Sequence, residues 1–216
     1  VAREYREEYG ELNLKVNNHV QKWINYFQGR GRSYMETYLQ RSSRYLPMMK
    51  ATLREQGLPE DLVYIALIES GFSPMAQSHA SAVGYWQFIK GTRRYVVNVN
   101  HQIDERRDPV LSTRAAAEYF KALYNLFGSW YLAMASYNVG ENRVKNVVMK
   151  HYTRDFWELV RKRKLPAETL DYVPKFIAAA VIAKNPEQYG FTNIPYQPAL
   201  AYDTVQISQP ISLVRL

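Results

Sequence analysis

One carboxylate, Glu69, stands at the end of an apolar run and suggests acid–base chemistry. Residues 62–68 are all apolar or aromatic, and Gly71 follows two positions after Glu69, where helices commonly end. A carboxyl group at a helix C-terminus faces the negative pole of the helix dipole, and apolar neighbours desolvate its charged form, so both effects raise its pKa. A carboxylic acid that stays protonated near neutral pH is what a general acid requires. These residues alone leave open a solvated glutamate.

Composition favours a globular protein with an anionic partner. The 216 residues are 47% hydrophobic and include no cysteine, which excludes disulfides and thiolate metal sites. No apolar run reaches the ~18–20 residues that span a bilayer, and the N-terminus has no hydrophobic targeting core, so a mature or trimmed chain is expected. The net charge of +8 favours nucleic acid, acidic lipid headgroups or a carboxylate-bearing polymer, or it serves solubility alone.

Helical patterns dominate the chain before Glu69. An apolar stripe over residues 12–27 and a capping box, Ser33 with Glu36, predict two helices within residues 1–57, the second of which passes Pro47. We expect these helices to pack against the helix that carries Glu69, which opens at Pro59-Glu60-Asp61.

The chain after Glu69 is predicted to form a loop of small residues over 73–84 and a short helix over 85–91. Asp108 before Pro109 and Ser129 before Trp130 are typical of helix starts. Helices are therefore expected at residues 108–127, 130–138, 143–149, 156–161 and 168–184.

Two other sets of polar residues near this region could suggest chemistry. Asp104, Glu105 and Asp108 do not have the spacing of a calcium loop and alternate with arginines, so ion pairs and capping are expected instead of a metal. His79 has no orienting partner in the sequence, so a catalytic role for it is not favoured.

The fold class that follows is all-α, with an irregular or extended tail over residues 191–216. No strand pattern precedes residue 190, and three prolines exclude a long helix in the tail. Four β-branched residues hint at extended segments there: Val205, Ile207, Ile211 and Val214.

Four short segments then stand at recognisable separations. They are Glu69-Ser70, residues 84–88 (Gly-Tyr-Trp-Gln-Phe), residues 135–140 (Ala-Ser-Tyr-Asn-Val-Gly) and residues 168–173 (Glu-Thr-Leu-Asp-Tyr-Val). Together they resemble the catalytic domain of family 1 lytic transglycosylases, a lysozyme-like helical domain related to goose-type lysozyme. The resemblance covers about residues 58–190 and implies a catalytic domain there, with residues 1–57 as extra N-terminal helices packed on it.

The resemblance implies a role for each matching residue. Glu69 matches the family's single catalytic glutamate. Seven further residues match positions that orient this acid or line the sugar-binding groove: Ser70, Ser78, Trp86, Gln87, Tyr137, Asn138 and Tyr172. Tyr85 and Ser136 depart from the usual leucine and alanine, which puts the subsite preference in question.

The activity implied is cleavage of the β-1,4 bond between MurNAc and GlcNAc in peptidoglycan, with formation of a 1,6-anhydro ring. Most glycosidases use two carboxylates. In this family one glutamate acts first as acid and then as base, and the substrate's C6 hydroxyl and 2-acetamido group supply the rest. The resemblance implies no metal and no cofactor, a periplasmic or envelope location, and peptidoglycan rather than nucleic acid as partner. A monomer is expected, with membrane association through a missing N-terminal anchor.

Two rival functions remain open at this point. The same fold could hydrolyse the bond with water, as a lysozyme does, or it could be a non-catalytic module that binds glycan or nucleic acid. The mass of the product separates the first rival, because an anhydro end is one water lighter than a reducing end. Binding without cleavage identifies the second.

Overall fold

The computed structural model describes residues 12–88, 98–100, 103–202 and 206, and within them it is helical with no strand. Pairing between extended residues in these ranges is limited to isolated bridges. The predicted all-α class is therefore confirmed. The α-helices, numbered here in chain order, are α1 (Asn18–Gln28), α2 (Arg32–Glu55), α3 (Tyr64–Ser70), α4 (Pro109–Phe127), α5 (Trp130–Val139), α6 (Glu141–His151), α7 (Phe156–Arg161) and α8 (Ala167–Lys184).

Helix α3 carries Glu69, is buried up to Ile68 and packs against α8. A 3-10 turn, Glu60–Val63, leads into it after Pro59, and residues 62–68 are all buried. Gly71 ends the helix in the left-handed conformation, with φ of +57°. The helix predicted from Pro59 is therefore present, but its first turn is tighter than an α-helix.

Two predicted helix starts are confirmed and one is wrong. The Asp108 carboxylate accepts hydrogen bonds from the backbone N–H groups of Val110 and Leu111 at 2.8 and 2.7 Å, and the Ser129 hydroxyl accepts one from Leu132 at 3.4 Å. The capping box at Ser33 and Glu36 does not form. Helix α2 begins at Arg32, one residue before the predicted cap Ser33, and the Arg32 guanidinium pairs with Glu36 at 2.9 Å.

The N-terminal helices share one hydrophobic core with the rest of the chain. The apolar stripe becomes helical only from Asn18, because the Asn17 side chain accepts a hydrogen bond from Val20 N–H at 3.1 Å and caps α1 there. Helix α1 lies along α8, where the Trp23 indole donates to Asp171 at 3.3 Å. Helix α2 continues past Pro47 as predicted.

The segment from Ser73 to Phe88 is a loop that folds back toward α3. The predicted helix over 85–91 is wrong for residues 85–88, which form a turn between bridge-paired residues Val83 and Phe88; the rest of that prediction lies outside the described residues. The buried guanidinium of Arg106 donates to the carbonyl oxygens of Phe88 and Ser81 at 3.2 and 3.4 Å, which anchors the loop.

Two of the three acidic residues near Arg106, Asp104 and Asp108, take the ion-pairing and capping roles expected from the sequence. Asp104 pairs with Arg106 at 2.7 Å, Asp108 caps α4, and Glu105 accepts a hydrogen bond from the backbone of Asn98 at 2.8 Å. Within the described ranges, no group of three or more His, Cys, Asp or Glu side chains could hold a metal ion.

The first part of the tail lies across α2. Residues 191–202 have no regular secondary structure, and hydrogen bonds hold them to that helix. The Ser43 hydroxyl donates to the Gln197 carbonyl at 2.8 Å, and the Leu200 N–H donates to the Arg44 carbonyl at 2.8 Å. Val205, Ile207, Ile211 and Val214 lie outside the described residues. No helix in the described part of the chain is long and apolar enough to span a bilayer.

Candidate active site

Glu69 lies at the meeting point of α3 and α8. The Tyr172 hydroxyl, from the second turn of α8, donates a hydrogen bond to Glu69 Oε1 at 2.5 Å. These residues are 103 positions apart in sequence, so only the tertiary packing of α3 against α8 brings them together. The Glu69 residue is half-buried, at the end of a helix whose preceding turns are wholly buried.

The surroundings of Glu69 favour the protonated carboxyl. Burial is the largest influence and raises the pKa of Glu69 to about 7; the Tyr172 hydrogen bond and the positive charge of Lys175 oppose it, and the negative charge of Glu168 adds to it. At neutral pH the carboxyl is therefore close to half protonated. Such a group can both give and take a proton.

Lys175 and Glu168 act on Glu69 but did not emerge from the sequence as site residues. Both lie on α8 within four residues of Tyr172, which places them on the same helix face. The Lys175 ammonium stands 5.6 Å from the centre of the Trp23 ring, and burial lowers the pKa of Lys175 while the charges of Glu69 and Glu168 raise it. The three-residue spacing from Tyr172 was the signal that could have found Lys175.

Tyr137 packs beside the acid as a neutral phenol. Its hydroxyl donates to the backbone carbonyl of Trp86 at 2.5 Å, and its ring stacks on Phe120 with centroids 4.7 Å apart. Burial, followed by the negative charge of Glu69, raises the pKa of Tyr137 well above its ordinary value. Helix α5 is thereby tied to the loop that follows α3.

Ser70 performs the corresponding connection from α3. Its hydroxyl lies 2.7 Å from the Tyr85 carbonyl and 3.0 Å from the Ala66 carbonyl, and it donates to this pair of acceptors. The loop backbone is therefore held against the last turn of the helix that presents Glu69. That Ser70 helps to orient the acid stays a prediction.

Trp86 occupies a different place from the one the resemblance implies. Its ring is 0% exposed, and its indole N–H donates to the Thr113 hydroxyl at 3.0 Å. A ring with no exposed surface cannot contact a sugar, so Trp86 is a core residue in this structure. Tyr85 is also buried and packs edge-on against Tyr45 at 5.0 Å, so this departure from the family pattern does not face a ligand directly.

Gln87 and Ser78 shape the loop. The Gln87 amide donates to the Gly84 and Ala76 carbonyls at 2.8 and 3.2 Å, and Gln87 has φ of +52°. The Ser78 hydroxyl accepts a hydrogen bond from the backbone N–H of Ala82 at 3.1 Å, and the residue is exposed. His79, next to it, is also exposed.

Asn138 links α5 to the start of α8. Its side-chain oxygen accepts a hydrogen bond from the Thr169 hydroxyl at 2.8 Å, and its amide nitrogen lies 3.4 Å from Glu168. Of the eight predicted site residues, Glu69, Ser70, Tyr137 and Tyr172 thus form a connected group through side chains and the 85–86 backbone. Asn138 joins the group through Glu168.

A cavity of about 370 Å³ lies apart from this group. It is lined by residues of α1, of the end of α7 and of the start of α8, with Arg163 and Asp171 among them. None of the eight predicted site residues lines it.

Comparison with known sequences agrees with the geometry of this site. The profile of the Transglycosylase SLT domain family matches residues 47–160, which is more than half of the chain. The chain belongs to the transglycosylase SLT domain family. The matched range includes Glu69, Tyr137 and Asn138 and ends before Tyr172.

Individual relatives extend the similarity to both sides of that range. Membrane-bound lytic murein transglycosylase D of Escherichia coli (strain K12) is 33% identical over 210 residues, 94% of this chain and 44% of the relative. The protein of the same name from Escherichia coli O6:H1 (strain CFT073) matches to the same extent. A protein of Alteromonas sp. (strain M-1), named for tributyltin chloride resistance, is 36% identical over 110 residues, 50% of this chain and 53% of the relative. This chain thus spans less than half the length of the two Escherichia coli relatives.

Proposed function

We propose that this chain is the catalytic part of a peptidoglycan lytic transglycosylase that cleaves the β-1,4 bond between MurNAc and GlcNAc. The observation that carries the proposal is the carboxyl group of Glu69, whose pKa burial raises to about 7 while Tyr172 donates to it. Family membership supports the same activity, and so do the names of the Escherichia coli relatives.

The proposed reaction uses one protein carboxyl twice. Glu69 first gives its proton to the bridging oxygen as the bond between that oxygen and C1 of MurNAc breaks, with the 2-acetamido group supporting C1. The C6 hydroxyl of the same MurNAc then bonds to C1 and returns its proton to Glu69. The 1,6-anhydro ring closes, no water is consumed, and the enzyme ends in its starting protonation state. Acid–base action of this kind contributes about 10²–10⁴ in rate.

The neighbouring residues would hold the acid and the sugar chain. Tyr172 would orient Glu69 and stabilise its carboxylate between the two proton transfers. Ser70 and Tyr137 would fix the loop backbone at residues 85–86 through their hydrogen bonds. Gln87, Ser78 and Asn138 are proposed to line the sugar groove. No step in this scheme calls for a metal or an organic cofactor.

Water hydrolysis is the second candidate, and one observation favours it. Glu168 lies close enough for its charge to raise the pKa of Glu69. Its carboxylate could therefore be the second carboxyl group of a hydrolase and act as the base that activates water. Its contact with Asn138 keeps it at the start of α8. A Glu168→Gln variant distinguishes the schemes, because only hydrolysis needs this carboxylate as a base.

We further propose that the protein works in the bacterial envelope. Peptidoglycan strands would be its partner, and the relatives named as membrane-bound support membrane association, through an N-terminal anchor, as part of the proposal.

The test is mass spectrometry of the fragments released from purified peptidoglycan. The proposal expects 1,6-anhydro ends from the unmodified chain, none from Glu69→Gln, and anhydro ends at a substantial rate from Glu168→Gln. Reducing ends, together with loss of activity in Glu168→Gln, would establish hydrolysis instead. Binding of peptidoglycan with no cleavage by the unmodified chain would show a non-catalytic module.

A further inference from the structure

The positive charge of this chain is concentrated in one segment. Residues 141–164, which contain α6 and α7, hold eight Lys or Arg and three Asp or Glu, a net charge of +5 out of +8 for the chain. The other 192 residues therefore carry a net charge of only +3. A local excess of this size points to an anionic partner more strongly than the overall charge does.

The bases of this segment converge at one end of the molecule. Lys150 and the four consecutive bases at 161–164 are all exposed. The end of α6 lies close to the end of α7, because Glu158 accepts hydrogen bonds from the Thr153 hydroxyl and from Lys162 Nζ, both at 2.6 Å. Desolvation and then the positive charges of Lys164, Lys150 and Lys162 lower the pKa of His151. We call this surface the basic face: Lys150, His151, Arg161, Lys162, Arg163 and Lys164.

The acids nearby neutralise only part of the basic face. The Glu158 carboxylate pairs with the Lys162 ammonium at 2.6 Å, and the Asp155 carboxylate lies 3.7 Å from the Arg161 guanidinium. In the part of the chain that the structure describes, Lys150, Arg163 and Lys164 form no ion pair. Arg163 also holds a left-handed backbone conformation, with φ of +50°. Three positive groups thus remain available to a partner.

Two apolar side chains project from the same place. Met149 is 62% exposed and Tyr152 is 95% exposed, at the end of α6 on either side of Lys150 and His151. Tyr152 ends the helix with φ of +51°, so the chain turns away there and leaves its ring in solvent. Transfer of such apolar side chains out of water is favourable, whereas the basic side chains require only an opposite charge on the partner.

We propose that the basic face docks on anionic phospholipid headgroups, with Met149 and Tyr152 entering the interface. A bilayer surface offers negative charge and an apolar layer just beneath it, which matches both parts of this surface. An anionic polymer would match the bases but would leave the two apolar side chains in water. The observations therefore favour a lipid surface over a polymer.

The position of the basic face is compatible with activity at Glu69. Helix α6 begins directly after Gly140, two residues beyond Asn138, and its 11 residues extend about 16 Å to the basic face. Docking would leave the candidate site free and would hold a bound glycan strand near the membrane.

The test is co-sedimentation of the purified chain with vesicles. Vesicles of phosphatidylcholine with about one third phosphatidylglycerol are expected to bind the chain at low salt and release it at about 0.5 M salt, where screening is short-ranged. Arg163→Glu with Lys164→Glu should weaken binding by at least about tenfold, because each base near an anionic surface contributes about fivefold. Met149→Ser with Tyr152→Ser should weaken it several-fold at constant charge.

A matched control carries the same change in charge elsewhere. Arg30→Glu with Arg114→Glu alters two exposed arginines outside the basic face and should bind vesicles nearly as well as the unmodified chain. Circular dichroism of every variant keeps loss of folding separate from loss of binding.

Three outcomes would overturn the proposal. One is equal binding to pure phosphatidylcholine vesicles, and another is undiminished binding by the Arg163→Glu, Lys164→Glu variant. The third is that this variant loses binding to purified peptidoglycan or to duplex DNA but keeps its binding to the anionic vesicles, which would assign the surface to a polymer. None of these measurements depends on catalytic activity, so the inference stands or fails separately from the proposed function.

Discussion

At the scale of single residues, the behaviour of Glu69 depends on opposing local effects. Burial raises its pKa to about 7, while the Tyr172 hydroxyl and the Lys175 ammonium favour the charged form. Without those two influences the pKa of Glu69 would be higher still, and the group would be a weaker acid for the proposed first proton transfer. The arrangement therefore suits a group that must give a proton and then recover one.

Substitution of the acid should alter the dependence of stability on pH. The pKa of Glu69 is higher in the folded chain than the ordinary 4.5. Ionisation of Glu69 therefore lowers the free energy of unfolding as pH rises from about 4.5 to about 7. The full cost, up to roughly 3 kcal/mol, applies above that window and is absent below it. Glu69→Gln should be as stable as the unmodified chain at pH 4.5 and more stable at pH 8, measured by urea unfolding. Lower stability of the variant at pH 8 would contradict the prediction.

Removal of the Tyr172 hydroxyl should raise the pKa of Glu69 further. A hydrogen bond to a charged group contributes about 1.5–3 kcal/mol, so Tyr172→Phe is expected to shift this pKa upward by about one unit or more. Carbon-13 NMR of the labelled carboxyl measures the shift directly. Tyr152→Phe, at a residue 95% exposed, is the control and should leave Glu69 unchanged. An unchanged or lowered pKa in Tyr172→Phe would show that the contact does not stabilise the carboxylate.

At the scale of elements, one face of α8 sets the electrostatics of the site. It presents Glu168, Tyr172 and Lys175 to the end of α3, and α1 supports it through the contact of Trp23 with Lys175. The loop after α3 is the second element, held by Ser70, Tyr137 and Arg106. The site is therefore formed by three helices, α3, α5 and α8, and one anchored loop.

The two charged residues of the α8 face should act on Glu69 in opposite directions. Lys175→Met removes a positive charge and should raise the pKa of Glu69, while Glu168→Gln removes a negative charge and should lower it. The basic limb of the pH dependence of kcat/KM should move accordingly. Lys22→Met removes a lysine whose side chain is 73% exposed and should leave the limb in place. Shifts of Lys175→Met and Glu168→Gln in the same direction would exclude a simple charge effect.

The loop should be sensitive to a single added methyl group. A Cβ at Gly84, whose φ is +82°, would lie 1.9 Å from the carbonyl oxygen of Arg106. Gly84→Ala should therefore displace the loop, lower Tm by several degrees and reduce activity. Gly128→Ala is the matched control, because its φ of +63° carries a similar backbone strain but nothing lies within 4 Å. Equal losses of Tm in the two variants would show that the contact with Arg106 does not matter.

At the scale of the whole molecule, the N-terminal helices and the domain that carries Glu69 share one core. Val20, Ile24 and Phe27 of α1 are at most 2% exposed, and Phe191 from the tail belongs to the same core. The boundary predicted at residues 57 and 58 falls just after α2, yet the packing continues across it. It stays a prediction about domain organisation rather than a division of the core.

Deletion of residues 1–57 should therefore prevent stable folding of the remainder. The deletion would expose the faces of α8 and α4 that α1 and α2 now cover, and lost apolar burial costs about 25 cal/mol per Å². Circular dichroism and thermal unfolding, compared with the full chain, measure the effect. A cooperative transition at an unchanged Tm in the shortened chain would contradict the prediction and would favour an independent domain.

The sequence by itself determined the helices and the acid. Helix periodicity, Asp108 and Ser129 as caps, and an apolar run before Glu69 are local signals, and local signals are what a sequence expresses directly. The capping box at Ser33 was wrong because Arg32, one residue earlier, starts the helix and pairs with Glu36. The predicted helix was wrong over residues 85–88, where a distant contact decides: Arg106 anchors the backbone at Phe88.

Only the tertiary structure decided what surrounds the acid. The pairing of Tyr172 with Glu69, the charge of Lys175 beside it and the burial of Trp86 all depend on how α3, α8 and α4 pack. A pKa is set by solvent exclusion and by charges close in space, and residues about a hundred positions apart supply them here. Spacing along the chain carries no record of those distances.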